Sequence, residues 1–256
     1  GRFTFYSGYL LDQLPNGSSS EDNNLIFANK FLTDYRLNKK GTTYLKAYSI
    51  SPSIKLVLLK KLLKHFLLYF KDRHDNTRNS ILSLISITLK QLYNIAVIKA
   101  FMRFDSIESI KEDYVLIALH KEPDSALDVQ SSLYLNQFEA IKAFIRKIPS
   151  GYDVVIKDHS HAFGLNSLPR YNSLTKLPSV KMVSPKTDIF DLMENAELVF
   201  SIGGTASLEA ALMGKRSLTA SKKFFSEVLM QEFINPYKCS SNEIQDILNS
   251  KPPKEE

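Results

Sequence analysis

The chain has 256 residues, 44% of them hydrophobic and 23% charged, the ordinary balance of a soluble globular protein with room for one large or two modest domains. Its 33 Lys and Arg outnumber 27 Asp and Glu, and the net charge of +6 favours anionic partners such as nucleotides, polyanionic glycans or an acidic membrane face. A single cysteine, Cys239, excludes an intrachain disulfide and a cysteine metal cluster and fits a reducing compartment, and the five histidines show no HExxH-type spacing that would suggest metal binding.

The chain opens on Gly1 rather than Met and shows no signal-peptide pattern, which reads as a trimmed or truncated start. No uninterrupted apolar run approaches the ~20 residues of a transmembrane helix, so no integral membrane segment is expected. Residues 1–106 read as mainly helical, with polar, loop-like stretches at 16–24 and 38–43 followed by two long helical patterns at about 53–70 and 77–102. In the first of these helices Lys60, Lys64 and Lys71 fall on one side and Leu59, Leu62, Leu63, Phe66 and Tyr69 on the other. Such a basic amphipathic helix either lies in an anionic membrane interface or packs on its own domain with its lysines in water.

Residues 107–256 alternate short apolar runs with amphipathic stretches, the signature of βαβ units and a parallel sheet. Strands are predicted at 114–119, 153–156, 180–183, 198–202 and 217–220, and helices at about 131–147, 168–176, 189–195, 206–213 and 242–249. The polar tail 251–256, with two prolines, reads as disordered. The fold class is therefore α/β with a Rossmann-like parallel sheet, preceded by a mainly helical segment.

Ligands of open parallel sheets bind at the carboxyl ends of the strands, so the residues just after each strand are the candidates for function. Three such ends carry polar groups: "LHKEPDS" with His120, Glu122 and Asp124, "KDHSHAFG" with Lys157, His159 and His161, and "GGTAS" with Gly203, Gly204, Thr205, Ala206 and Ser207. Glycines before a helix allow close backbone approach, and the N–H groups and dipole of a helix N-terminus attract an anion, phosphate above all. Thr205 and Ser207 could add hydroxyl donors, and Glu209, one turn into the helix, could accept from ribose hydroxyls. Taken alone, the Gly-Gly turn is equally a tight strand-to-helix connection, Glu209 a satisfied surface acid, and each histidine a structural loop residue.

The serial order of "YVLIALHKEPDSA", "IRKIPSGYDVVIKDHS", "LPRYNSLTKLPSVKMVSP" and "DIFDLMENAELVFSIGGTASLEAALMGKRSL" resembles the nucleotide-binding half of the bacterial capsule polysaccharide biosynthesis proteins. These resemble Kdo- and sialic-acid-type glycosyltransferases of the GT-B architecture, in which two Rossmann-like domains face each other across a cleft. The resemblance covers about residues 114–225. Leu119, His120 and Pro123 match the family's first motif, with Glu122 where glutamine is usual and Asp124 where glutamate is usual. Lys157 and His159 match the second, with Ser160 in place of a proline, and Gly204, Thr205, Glu209 and Ala210 match the third in full.

The resemblance implies a glycosyltransferase, or its donor-binding half, that moves a sugar from a nucleotide-activated, CMP-linked donor to a growing glycan or lipid-linked acceptor in capsule or surface polysaccharide synthesis. It implies that His159 and the Gly204–Thr205 corner hold the donor phosphate, that Glu209 meets the ribose, and that His120 lines the cleft near the sugar. The 203–206 helix terminus and Lys157 or His159 would stabilise the leaving nucleotide with neither metal nor cofactor. His120 and Asp124 are the candidates for deprotonating the acceptor. Residues 1–106 then stand as a linker or remnant of an N-terminal domain before a nucleotide-sugar-binding domain at 107–256. The expected setting is cytoplasmic and peripheral on the inner membrane through 54–71, with no nucleic-acid partner. The alternatives are a CDP-glycerol-type phosphotransferase, a nucleotide-sugar epimerase of the same architecture, and a non-catalytic membrane-associated nucleotide-binding protein.

Overall fold

A computed structural model describes residues 29–30, 32–37, 60, 63–64, 66–67, 81–123, 125–222 and 232–250. The chain divides into two compact units, residues 1–40 and 41–256. In the first, the described residues 29–30 and 32–37 are helical, and the Thr33 hydroxyl donates to the Asn29 carbonyl at 2.8 Å. The loop-like stretches at 16–24 and 38–43 and the tail 251–256 lie outside the described residues.

The second unit is built on six parallel strands: β1 (Tyr114–Ala118), β2 (Asp153–Lys157), β3 (Val180–Val183), β4 (Leu198–Ser201), β5 (Ser217–Thr219) and β6 (Glu232–Phe233). Their order across the sheet is β3-β2-β1-β4-β5-β6. β1, "YVLIA", is buried along its whole length, as a central parallel strand covered on both faces must be. It pairs with β2 from Tyr114↔Asp153 to Ala118↔Lys157 and with β4 from Val115↔Leu198 to Ile117↔Phe200. Chain order reverses between β1 and β4, and there the connections diverge to open a crevice at the carboxyl ends of the strands.

The helices of the sheet region are α2 (Ser125–Asp128), α3 (Gln137–Ile145), α4 (Leu168–Thr175), α5 (Ile189–Asn195), α6 (Thr205–Leu212) and α7 (Ser241–Asn249), preceded by the long α1 (Ile81–Phe101). Their starts follow local chemistry. Asp188 caps α5 by accepting from the Phe190 N–H at 2.9 Å, and Ser240 and Glu243 form a capping box on α7. The core closes where the Phe144 ring of α3 stacks on Phe200 of β4, centroids 4.0 Å apart.

All five predicted strands are present, each within a residue or two of its expected ends. β6 was not anticipated, because its two residues are exposed and carry no apolar alternation. The single helix expected over 131–147 is broken into a 3-10 turn, Ser132–Tyr134, and α3. Tertiary contacts override the helical pattern: the buried Tyr134 stacks on Tyr237, and Gln137 at the start of α3 turns its amide onto the end of β1.

The second long helical pattern is α1. Its inner face carries the buried Asn94, Ile95 and Ile98, and Asn94 Nδ2 and Gln91 Nε2 donate to the carbonyls of Gly164 and Phe163 in the loop after β2. Gly164 sits at φ +84°, and a Cβ there would come within 2.4 Å of Ile95, so only glycine lets the helix lie this close. The outer face is apolar and exposed, Leu82 at 80% and Tyr93 at 69%. By length and composition the stretch Leu82–Phe101 could cross a membrane, although Lys90, Gln91 and Asn94 punctuate it and leave no uninterrupted apolar run. Of the first amphipathic helix, residues 60, 63–64 and 66–67 are described; all are helical, and members of both the basic and the apolar side are exposed, Leu63 at 54% and Phe66 at 48%.

Candidate functional site

A cavity of about 270 Å³ opens at the carboxyl ends of β1, β2 and β4. Its walls come from the three segments expected after those strands, with Ile189 of α5 beside them. Apart from Ser207 and Asp124, every candidate residue, namely His120, Lys157, His159, Gly203, Gly204, Thr205, Ala206 and Glu209, lines it. Ser207 is fully buried behind the corner and its hydroxyl donates to the Gly204 carbonyl at 3.1 Å. Asp124 lies outside the described residues.

His120 spans the crevice from β1 to β4. Its Nε2 accepts a hydrogen bond from the Gly203 N–H at 3.2 Å, and a Cβ on Gly204 would meet its Cε1 at 2.8 Å. The ring therefore occupies the space that the missing side chain leaves. An imidazole nitrogen that accepts from a backbone N–H carries no proton, so the His120 proton sits on Nδ1. His159 has the opposite tautomer: its Nδ1 accepts from the His161 N–H at 3.1 Å, which leaves the proton on Nε2. The Gly203 N–H, one of the donors expected for an anion, is thus given to His120. Among the described residues no side chain caps the N-terminus of α6, where Thr205 and Ala206 border the cavity.

Three buried ionisable groups, Lys157, Asp158 and Glu209, border the cavity. Lys157, the last residue of β2, donates Nζ to the carbonyls of Asp158 and Pro185 at 3.2 and 3.3 Å. Burial holds its amine below the ordinary lysine value, against the pull of the Asp158, Asp188 and Glu209 carboxylates. Asp158 is wholly buried, accepts from the His159 N–H at 2.8 Å and from the Tyr171 hydroxyl, and is still raised by burial to about 6. Glu209 is raised by burial to about 7, although the Thr205 hydroxyl hydrogen-bonds its carboxylate. Its Oε1 is buried and has no hydrogen-bond partner among the described residues. A satisfied surface acid is ruled out; this is an orphaned acceptor beside the cavity, the kind of group that invites a ligand hydroxyl.

Several participants escaped the sequence reading. Asp158 lies inside "KDHS" but has no motif of its own, and Asp188, directly before the helix at 189–195, carries no local signal of a role at the cavity. Gln137 and Arg170, which hold the first loop, lie on helices far along the chain, and no local pattern marks them. Among the described residues, no three His, Cys, Asp or Glu side chains are grouped to hold a metal ion.

No family model matches the chain, and no curated protein matches it in sequence. Among solved structures, the UDP-GlcNAc 2-epimerase of Methanocaldococcus jannaschii in complex with UDP-GlcNAc and UDP is 19% identical, over 64% of this chain and 46% of that one, with a TM-score of 0.42. The beta Kdo 2,7 transferase KpsC of Thermosulfurimonas dismutans is 15% identical over 75% of this chain and 55% of that one, TM-score 0.40. The wall teichoic acid polymerase TagF is 10% identical over 61% of this chain and 38% of that one, TM-score 0.30. The chain thus spans about half the length of the first two structures. Its own sheet, six parallel strands in the order 3-2-1-4-5-6 with helical crossovers, is that of a Rossmann-like α/β domain.

Proposed function

We propose that this chain is a glycosyltransferase, or the donor-binding half of one, that transfers a sugar from a nucleotide-activated donor in bacterial capsule or surface polysaccharide synthesis. The observation that carries the reading is the orphaned Glu209 Oε1 beside the uncapped α6 N-terminus, both bordering one crevice at the strand-order reversal. A nucleotide supplies what each lacks: a phosphate for the helix terminus and a ribose hydroxyl for the carboxylate. Lys157, and His159 through its Nε2–H, add positive and donor character on the β2 side, where charge develops on the leaving nucleotide. His120, with its Nδ1–H, faces the position of the sugar.

On the motif resemblance the donor is CMP-linked and the acceptor a glycan or a lipid-linked glycan, held by a part of the enzyme beyond this crevice. The protein would work in the cytoplasm, peripheral to the inner membrane, with residues 54–71 against anionic lipid. The exposure of Leu63, Phe66 and Leu67 beside Lys60 and Lys64 supports that contact. The test is thermal denaturation of the full chain with CMP, CDP or UDP. A ligand that binds only the folded state at about 100 times its Kd adds about 2.7 kcal/mol, so a clear rise in Tm is expected, largest with CMP. No rise with any of the three at millimolar concentration overturns the nucleotide pocket, and a rise with UDP alone moves the donor away from CMP.

A further inference from the structure

His120 is set in place by a chain of side chains that begins outside the cavity. Gln137, fully buried at the start of α3, accepts from the His120 N–H on Oε1 at 2.9 Å and donates Nε2 to the His120 carbonyl at 3.0 Å. These two bonds to one residue copy what a neighbouring strand would provide, so they extend the order of β1 past its last ladder pair. The same Nε2 donates to Glu122 Oε1 at 2.7 Å. The other oxygen of Glu122 accepts from Arg170 Nη1 at 2.6 Å. Arg170, on α4, is itself fixed by Asn166 Oδ1 at 2.8 Å and by stacking over the Phe138 ring at 4.3 Å.

The donor and acceptor inventory makes this arrangement directional. An ionised carboxylate and a carbonyl can only accept. With Glu122 and the His120 carbonyl both facing it, the Gln137 amide must present its NH₂ to them and its oxygen to the His120 N–H. The flipped amide would set oxygen against two acceptors and NH₂ against a donor. Glu122 therefore reinforces the orientation that the His120 backbone asks of the amide, with one oxygen facing Gln137 and the other facing Arg170.

We propose that Glu122, pinned by Arg170, is a positioning residue that fixes the Gln137 amide and through it holds His120 across the Gly203–Gly204 corner. The proposal rests on the nucleotide reading only for what the held imidazole faces; the holding itself concerns the ligand-free chain. Glutamine at 122 replaces one of the two accepting oxygens by an NH₂ group, so that either Gln137 or Arg170 would face a donor instead of an acceptor.

The experiment compares wild type with Glu122→Gln and Arg170→Met, singly and combined. In ligand-free protein, the ¹⁵N resonances of the His120 imidazole report its tautomer and its bond from Gly203. Both single variants are expected to move that signal toward a tautomeric mixture, with the double variant no further displaced than the larger single effect. A change in Tm without movement of the signal would indicate a merely structural ion pair and would overturn the proposal, as would effects of the two substitutions that add. CMP titration of the same proteins reads the other claim separately. A loss of about tenfold in affinity, the order expected for one misplaced hydrogen-bonding group, connects the held ring to the ligand. If wild type binds no nucleotide, the functional reading fails while the imidazole signal still decides whether Glu122 positions His120.

Discussion

The imidazole of His120 lies in the space that Gly204 leaves by having no side chain, with 2.8 Å from its Cε1 to where a Cβ would be, and it takes the N–H of the adjoining Gly203. This one relationship joins the ends of β1 and β4 across the strand-order reversal. It also assigns Gly204 a reason distinct from backbone freedom: close approach of a ring. Gly204→Ala should therefore push His120 off Gly203 and cost about 1–3 kcal/mol as an overpacked site. Urea denaturation measures the cost, and the His120 ¹⁵N signal shows the displacement; an alanine variant with an unmoved ring would contradict the packing argument.

Glu209 sets stability and ligand affinity against each other with pH. Its carboxyl is raised from 4.5 to about 7 by burial, so the folded state holds its proton more tightly than the unfolded chain. Stability from this group is full below about 4.5 and is lost as pH rises through about 7. Asp158, raised from 3.8 to about 6, adds a loss in the same direction over a lower window. Glu209→Gln removes the first contribution, and its stability relative to wild type should rise between about pH 5 and 8 by the order of 1–3 kcal/mol. Nucleotide affinity of the wild type should climb over the same interval, because the ionised carboxylate is the better acceptor for a ribose hydroxyl. Denaturation and titration at both pH values measure the two trends.

Tyr171 gives its hydroxyl to the buried Asp158, whose other oxygen takes the His159 N–H. Tyr171→Phe keeps the ring beside Phe138, 6.3 Å between centroids, and leaves the carboxylate one partner short. The expected cost is about 1–3 kcal/mol, together with faster amide hydrogen exchange at His159 and His161. Unchanged exchange there would mean that Asp158 does not organise the second loop.

Membrane contact through residues 54–71 predicts co-sedimentation with vesicles containing anionic lipid and little with neutral vesicles. Lys60→Glu combined with Lys64→Glu should abolish it, since each basic residue near an anionic surface contributes about 1 kcal/mol. Binding that survives both substitutions would remove this helix from the membrane.

The parallel sheet and most of the crevice were legible in the sequence because both write themselves locally. Continuous runs such as "YVLIA" announce buried strands, and polar residues immediately after them mark the strand ends where ligands sit. Gly204 and Glu209 could be found in that way, but the use of Gly203 could not. Its N–H goes to a ring 83 residues earlier in the chain, and only the juxtaposition of β1 and β4 shows it. Gln137 and Arg170 escaped for the same reason: their partners come from other elements, and a glutamine at a helix start or an arginine on a half-exposed helix has no signature. The helix expected over 131–147 failed where Tyr134 and Gln137 gain more from the Tyr237 ring and the end of β1 than from continuing a helix.

Calorimetric titration of CMP into the wild type, Gly204→Asp and Glu209→Ala tests the nucleotide crevice most directly. The account predicts saturable binding to the wild type at a single site. It predicts affinity at least tenfold weaker in Glu209→Ala, where the acceptor for ribose is gone, and none in Gly204→Asp, where a carboxylate would displace His120 and repel the phosphate. Equal binding by all three proteins would contradict it.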